Sequence, residues 1–112
     1  MYRVIRSGEL EPSPGGTITF EGQAYESGVS FFHVNNRPGE GPKLHRHPYS
    51  ETWILRSGKA LFTADGEELE AGPGDILVVT PDTPHKFTNI GTERLEIICI
   101  HDSPQMVQED LE

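Results

Sequence analysis

Cysteine is all but absent from this sequence. Cys99 stands alone, which rules out an internal disulfide framework or a cysteine-built zinc ribbon and fits a reducing compartment. Basic residues are scarce too: 9 Lys and Arg face 18 Asp and Glu, so the surface repels phosphate backbones and anionic headgroups. Neither nucleic acid nor a membrane surface is an expected partner. The acidic residues are scattered, apart from the run Glu109, Asp110 and Glu112, and read as a solvated surface. Long apolar runs are missing as well. The opening Met1-Tyr2-Arg3-Val4-Ile5-Arg6-Ser7-Gly8 lacks the apolar stretch of a signal peptide, and no later segment is long enough to span a bilayer. A cytoplasmic protein is the expectation.

Helical spacing, linkers and internal repeats are also lacking, and what remains is a pattern of short strands. With 112 residues the chain suits one domain over 1–112. Runs rich in β-branched and aromatic residues lie at Thr17 to Phe20, Val29 to Val34, Glu51 to Leu55, Lys59 to Ala64, Asp75 to Thr80 and Arg94 to His101. Turn signals separate them, among them Gly72-Pro73-Gly74 and the hairpin dipeptide Asp65-Gly66. Short strands with a glycine or proline break after each predict an all-β sandwich or barrel. Only the end of the chain has helical signals, with Ser103 as a cap, Pro104 in the first turn and a weak stripe of Met106, Val107 and Leu111. A short C-terminal helix is expected there.

The chemistry concentrates between Gly39 and Gly58. In an extended chain alternate side chains share a face, so His45 and His47 can present ring nitrogens to one point. Glu51 begins the next extended run and shares its face with Trp53 and Leu55. A carboxylate among apolar neighbours needs a partner, and a divalent cation flanked by imidazoles supplies one. His85, in Thr83-Pro84-His85-Lys86-Phe87, can complete the set if the fold brings it across. Three imidazoles and one carboxylate suit a single divalent transition metal ion, Fe, Mn, Ni, Zn or Cu, with open positions for a substrate.

Other groups carry less. His33 and His101 read as satisfied or exposed histidines. Cys99 and His101 share a strand face, but Cys99 sits among Ile97, Ile98 and Ile100 and reads as a small core residue rather than a nucleophile. Ser50 lies in no nucleophile elbow, and Gly72-Pro73-Gly74-Asp75 precedes no helix that would make it a phosphate cradle.

These residues resemble the cupin superfamily. Gly39, five residues, His45-x-His47, three residues, Glu51, six residues and Gly58 match every position of its first motif. Its second motif is met at Gly74, His85 and Asn89, with Thr80 where the family has proline and Asp82 where it has glycine. The departures touch the shape of a turn, not a ligand. The resemblance covers core motifs at 39–58 and 74–89 and implies a double-stranded β-helix, or jelly-roll, barrel with His45, His47, Glu51 and His85 as metal ligands. Single-domain members pair as dimers, often by exchanging N-terminal strands, so a homodimer is expected.

The leading expectation is a metal-dependent enzyme of dioxygenase, isomerase or cyclase type acting on a small chelating, oxygenated molecule. In it Phe31, Trp53 and Phe62 would line an apolar pocket, and Tyr49 or His33 would transfer protons. The alternative is a module that uses the metal to bind or sense a small ligand without turning it over.

Overall fold

The computed structural model describes residues 1–112. It has ten strands: β1 (Ile18–Phe20), β2 (Ser30–Asn36), β3 (His45–Arg46), β4 (Glu51–Ser57), β5 (Ala60–Ala64), β6 (Glu67–Ala71), β7 (Ile76–Val79), β8 (His85–Asn89), β9 (Leu95–His101) and β10 (Glu109–Asp110). They form two antiparallel five-stranded sheets, one in the order β1-β2-β9-β4-β7 and the other β10-β3-β8-β5-β6. A 3-10 turn at Gly22–Tyr25 is the sole helical element. The all-β jelly roll expected from the sequence is therefore present, as two facing sheets and not as a closed barrel.

Alternation sets what lies between the sheets. On β4 the residues Glu51, Trp53 and Leu55 are buried, and on β9 Leu95, Ile97, Cys99 and His101 are. On the opposing sheet Ala60 and Phe62 of β5 and His85, Phe87 and Asn89 of β8 turn inward. The core is thus a stack of apolar cross-strand pairs, Trp53 opposite Cys99 and Leu55 opposite Ile97, with Phe62 opposite Phe87 on the facing sheet. At one end of this stack the pairs become polar: Glu51 stands opposite His101 and His45 opposite His85.

Turns follow their residues. Asp65 and Gly66, at φ 55° and 79°, make the tight β5–β6 hairpin that their dipeptide predicts. Asp82 takes φ 63°, the left-handed conformation that glycine supplies at that point of the family motif. Its N–H donates to the His47 carbonyl at 2.7 Å, so the substituted turn keeps its shape and ties itself to a site residue.

The expected strand runs leave out Glu67–Ala71 and His85–Asn89, and the expected C-terminal helix is not found. Strand β6 has no apolar alternation: Glu67, Glu68, Leu69 and Glu70 are exposed and Ala71 alone is buried, so its pairing with β5 is a backbone matter on an edge blunted by charge. The C-terminal helix does not form. The chain bends through 102–105 and then runs without helix to β10, where Leu111 N–H bonds the Leu44 carbonyl and Arg46 pairs with Glu109. An apolar stripe as weak as Met106, Val107 and Leu111 buries too little to hold a helix, whereas a strand edge at β3 offers hydrogen bonds.

Gly41 carries the closest backbone approach near the site: a Cβ there would lie 1.9 Å from the Phe87 carbonyl oxygen. Gly41→Ala is expected to lower stability by about 3 kcal/mol, since β8 must shift to admit the methyl group. Chemical denaturation checks this, and an unchanged midpoint would contradict so close a contact.

Candidate metal centre

Each site residue arrives by a separate strand rule. His45 and His47 flank Arg46, so both side chains turn inward from β3 and its extension while Arg46 faces the exposed Glu109. Glu51 is the first inward position of β4, and His85 the first of β8. One potential ligand atom from each of His45, His47, Glu51 and His85 lies within 4.8 Å of the others, and all four residues are buried.

The orientation of the three imidazoles is locked from behind. His45 Nδ1 lies 2.6 Å from the Lys43 carbonyl, His47 Nδ1 2.8 Å from that of Val107, and His85 Nδ1 2.7 Å from that of Thr83. A carbonyl can only accept, so each ring carries its hydrogen on Nδ1 and turns Nε2 inward. There the nitrogens meet a carboxylate: His85 Nε2 is 3.0 Å and His47 Nε2 3.2 Å from Glu51 Oε1. In neutral rings these would be lone pairs facing an anion. His47 Nε2 is also buried without a hydrogen-bond partner. A cation among the four resolves both problems at once, and the donor set therefore fits one divalent transition metal ion.

Without an ion among them, these groups set one another's charge. Burial works against the charge on Glu51, yet the imidazoles of His101, His47 and His85 hold its carboxyl far below the usual carboxylate range, so it stays ionised. Burial also works against a charged His47, but Glu51 and the Val107 carbonyl outweigh it and raise this imidazole. His45, where burial prevails over the Lys43 carbonyl, is lowered. A second contact on the carboxylate comes from Trp53, whose indole N–H donates to Glu51 Oε2 at 2.6 Å and leaves Oε1 for the imidazoles.

A cavity of about 340 Å³ reaches the centre, its apolar wall made by Phe32, Val34, Trp53, Phe87 and Cys99 and its polar part including His45, Glu51 and His101. Of the sequence candidates for a pocket, Trp53 lines it. Phe62 lies behind Trp53, stacked on it with centroids 4.5 Å apart, and belongs to the core. Phe31 and His33 point the other way. Ser30, Phe32 and Val34 are the inward positions of β2, so Phe31 stacks on Phe20 and His33 lies half exposed 3.9 Å from Glu96. His33 therefore does not reach the centre. Tyr49 is near it, stacked on His47 with its hydroxyl on His101 Nδ1, but is not part of the cavity wall.

Two features escaped sequence reasoning. His101, read as an ordinary histidine, is 1% exposed with Nε2 3.3 Å from Glu51 Oε2. The alternation Leu95, Ile97, Cys99 already pointed it inward. The Val107 backbone, which accepts from His47 and donates to the Tyr49 hydroxyl, had no side-chain signal to find. Cys99 lies in the core as expected, 2% exposed, and burial pushes its thiol well above the ordinary range.

Since the indole N–H holds one carboxylate oxygen, Trp53→Phe should keep the fold and weaken metal binding by about tenfold. A competition titration with a chromogenic chelator reads this, and wild-type affinity in the variant would remove Trp53 from the site.

A family model described as a cupin domain matches residues 32–101. Among curated proteins, an uncharacterised protein of Methanocaldococcus jannaschii, MJ1618, is 40% identical over 62 residues, covering 54% of this chain and 50% of its own. The polyketide synthase CurC of Streptomyces cyaneus is 35% identical over 69 residues, covering 61% and 44% respectively. The chain thus spans about half the length of the curated relatives it matches. Among solved structures, the Bacillus subtilis oxalate decarboxylase, studied for its Mn(II) centres, superposes with a TM-score of 0.77 at 26% identity over 90% of this chain and 29% of that one. The match to the cupin-domain model takes in more than half the sequence and all four clustered residues, and this chain belongs to the cupin family.

Proposed function

We propose that this cupin is a metal-dependent enzyme acting on a small, oxygenated, chelating substrate. The observation that carries the reading is the lock on His45, His47 and His85: three backbone carbonyls turn three Nε2 atoms toward one ionised carboxylate at the wall of a cavity. A site meant only to hold the fold together would be closed on every side. Here His45 and Glu51 border open space that Phe32, Val34, Trp53 and Phe87 keep apolar.

A bound ion would supply Lewis acidity to a carbonyl, carboxylate or enolate oxygen. The protein's own residues do the rest. Apolar walls exclude water and strengthen each polar contact inside, and Trp53 keeps one oxygen of Glu51 occupied so that the other stays aimed inward. The likeness to an oxalate decarboxylase and to a polyketide synthase supports substrates whose oxygens can chelate, and dioxygenase, isomerase and cyclase types stay in view. Mn(II) is the first ion to try, because the Bacillus subtilis decarboxylase has Mn(II) centres. No helix is long and apolar enough to cross a membrane. The lone cysteine supports a cytoplasmic setting, and exposed Ile76 and Val78 on the edge strand β7 support a homodimer.

Elemental analysis of the purified chain should find close to one transition metal per chain. His47→Ala should lose most of that metal and melt at a lower temperature, because bound metal stabilises the folded form. Wild-type metal content in the variant would contradict the assignment. With the metal identified, oxygen uptake and product analysis over oxalate and a panel of diketones and enols should reveal turnover. Tight binding without conversion across that panel would favour the sensing module instead.

A further inference from the structure

One buried histidine beside the metal centre stands outside its ligand set. His101 ends β9 and lines the cavity beside Phe32, Glu51 and Trp53. Its Nε2 is buried and has no hydrogen-bond partner. The nearest acceptor, Glu51 Oε2, lies 3.3 Å away outside hydrogen-bond geometry and already accepts the Trp53 N–H at 2.6 Å. A buried polar atom left unpaired is costly, and this one belongs to a residue that lines the cavity reaching the metal centre.

What separates His101 from the other three is the group at its Nδ1. His45, His47 and His85 each meet a carbonyl, which forces the hydrogen onto Nδ1 and leaves a lone pair on Nε2. His101 Nδ1 meets the Tyr49 hydroxyl at 2.6 Å. That oxygen already accepts the Val107 N–H at 3.1 Å, and His101 Nδ1 is the one protein acceptor against the hydroxyl. The phenol hydrogen can thus go to Nδ1, an arrangement that puts the ring hydrogen on Nε2. With a lone pair there His101 would be a ligand; with a hydrogen it is a donor.

We propose that the Nε2–H of His101, held in that tautomer by Tyr49, recognises an anionic oxygen of a small carboxylate or enolate bound beside the metal centre. The proposal rests on reading His45, His47, Glu51 and His85 as that centre. Tyr49 is a positioning residue, since it touches the imidazole and not the cavity. A hydrogen bond to an anionic oxygen is among the stronger kinds, and the phenyl ring of Phe32, edge-on to His101 at 5.4 Å, shields it from water.

Two measurements test this on the full chain. With 15N-labelled histidine and zinc bound, long-range proton–nitrogen spectra should show His101 protonated at Nε2 and the other three site histidines at Nδ1. Tyr49→Phe should disturb the His101 pattern alone. In parallel, calorimetric titration of the manganese-loaded chain with oxalate should give an affinity that falls at least tenfold in His101→Ala at unchanged metal content. His101→Gln, whose amide N–H reaches toward the same point, should restore much of it. A wild-type His101 protonated at Nδ1, or oxalate bound equally well by His101→Ala, overturns the proposal. So does loss of metal from His101→Ala, which would make the residue a ligand. A wild-type chain that retains metal yet ignores oxalate defeats the donor role alone, whereas a chain that takes up no metal defeats the centre beneath it.

Discussion

The antiparallel register at one end of the two sheets is the constraint on which the rest depends. Glu51 stands opposite His101 in one sheet, and His45 opposite His85 in the other. Because strand side chains alternate, a slip of one residue on β4 would turn Glu51 outward and carry Thr52 into its place. The same slip would expose Trp53 and Leu55, both buried against Phe62 and Ile97 in the core. Packing of the apolar layers therefore selects the register, and the register brings the strands of the polar layer together.

That polar layer would be a liability in an ordinary core. Burying an ionised carboxylate costs several kcal/mol unless charge and hydrogen bonds compensate. Here compensation comes from both sides, the Trp53 indole on one oxygen and inward-facing imidazoles on the other. The imidazoles are held by main-chain carbonyls, two of which, at Lys43 and Thr83, lie two residues before their own histidine. The third, Val107, belongs to the extended tail that pairs with β3. Tail and turn thus serve the centre by orienting it, a role that depends on backbone and leaves no trace in side-chain identity.

This explains which parts were legible in the sequence. The ligands could be read because their chemistry is unusual and the spacing of His45 and His47 obeys the alternation rule; His85 could be offered only as a residue the fold would have to bring across, and the resemblance to cupins supported it. Strands with β-branched, alternating sequences were visible; β6, written in glutamates, was not, because its place is set by the hairpin at Asp65-Gly66. The tail was misjudged for a related reason, as its conformation comes from hydrogen bonds to β3 and not from its own apolar pattern. On β2 both faces are rich in apolar or aromatic residues, so alternation alone gave no direction. The burial of Ser30 beneath the 3-10 turn, through the Gly22 N–H and the Ser103 carbonyl, decides it and sends Phe31 and His33 outward.

The central claim is that one cation sits where three Nε2 atoms and a carboxylate oxygen meet. Anomalous scattering from crystals of the manganese-loaded chain tests it most directly. The account predicts a single peak bonded to Nε2 of His45, His47 and His85 and to Glu51. A peak elsewhere, or one coordinated through Nδ1 of any of these rings, would contradict it.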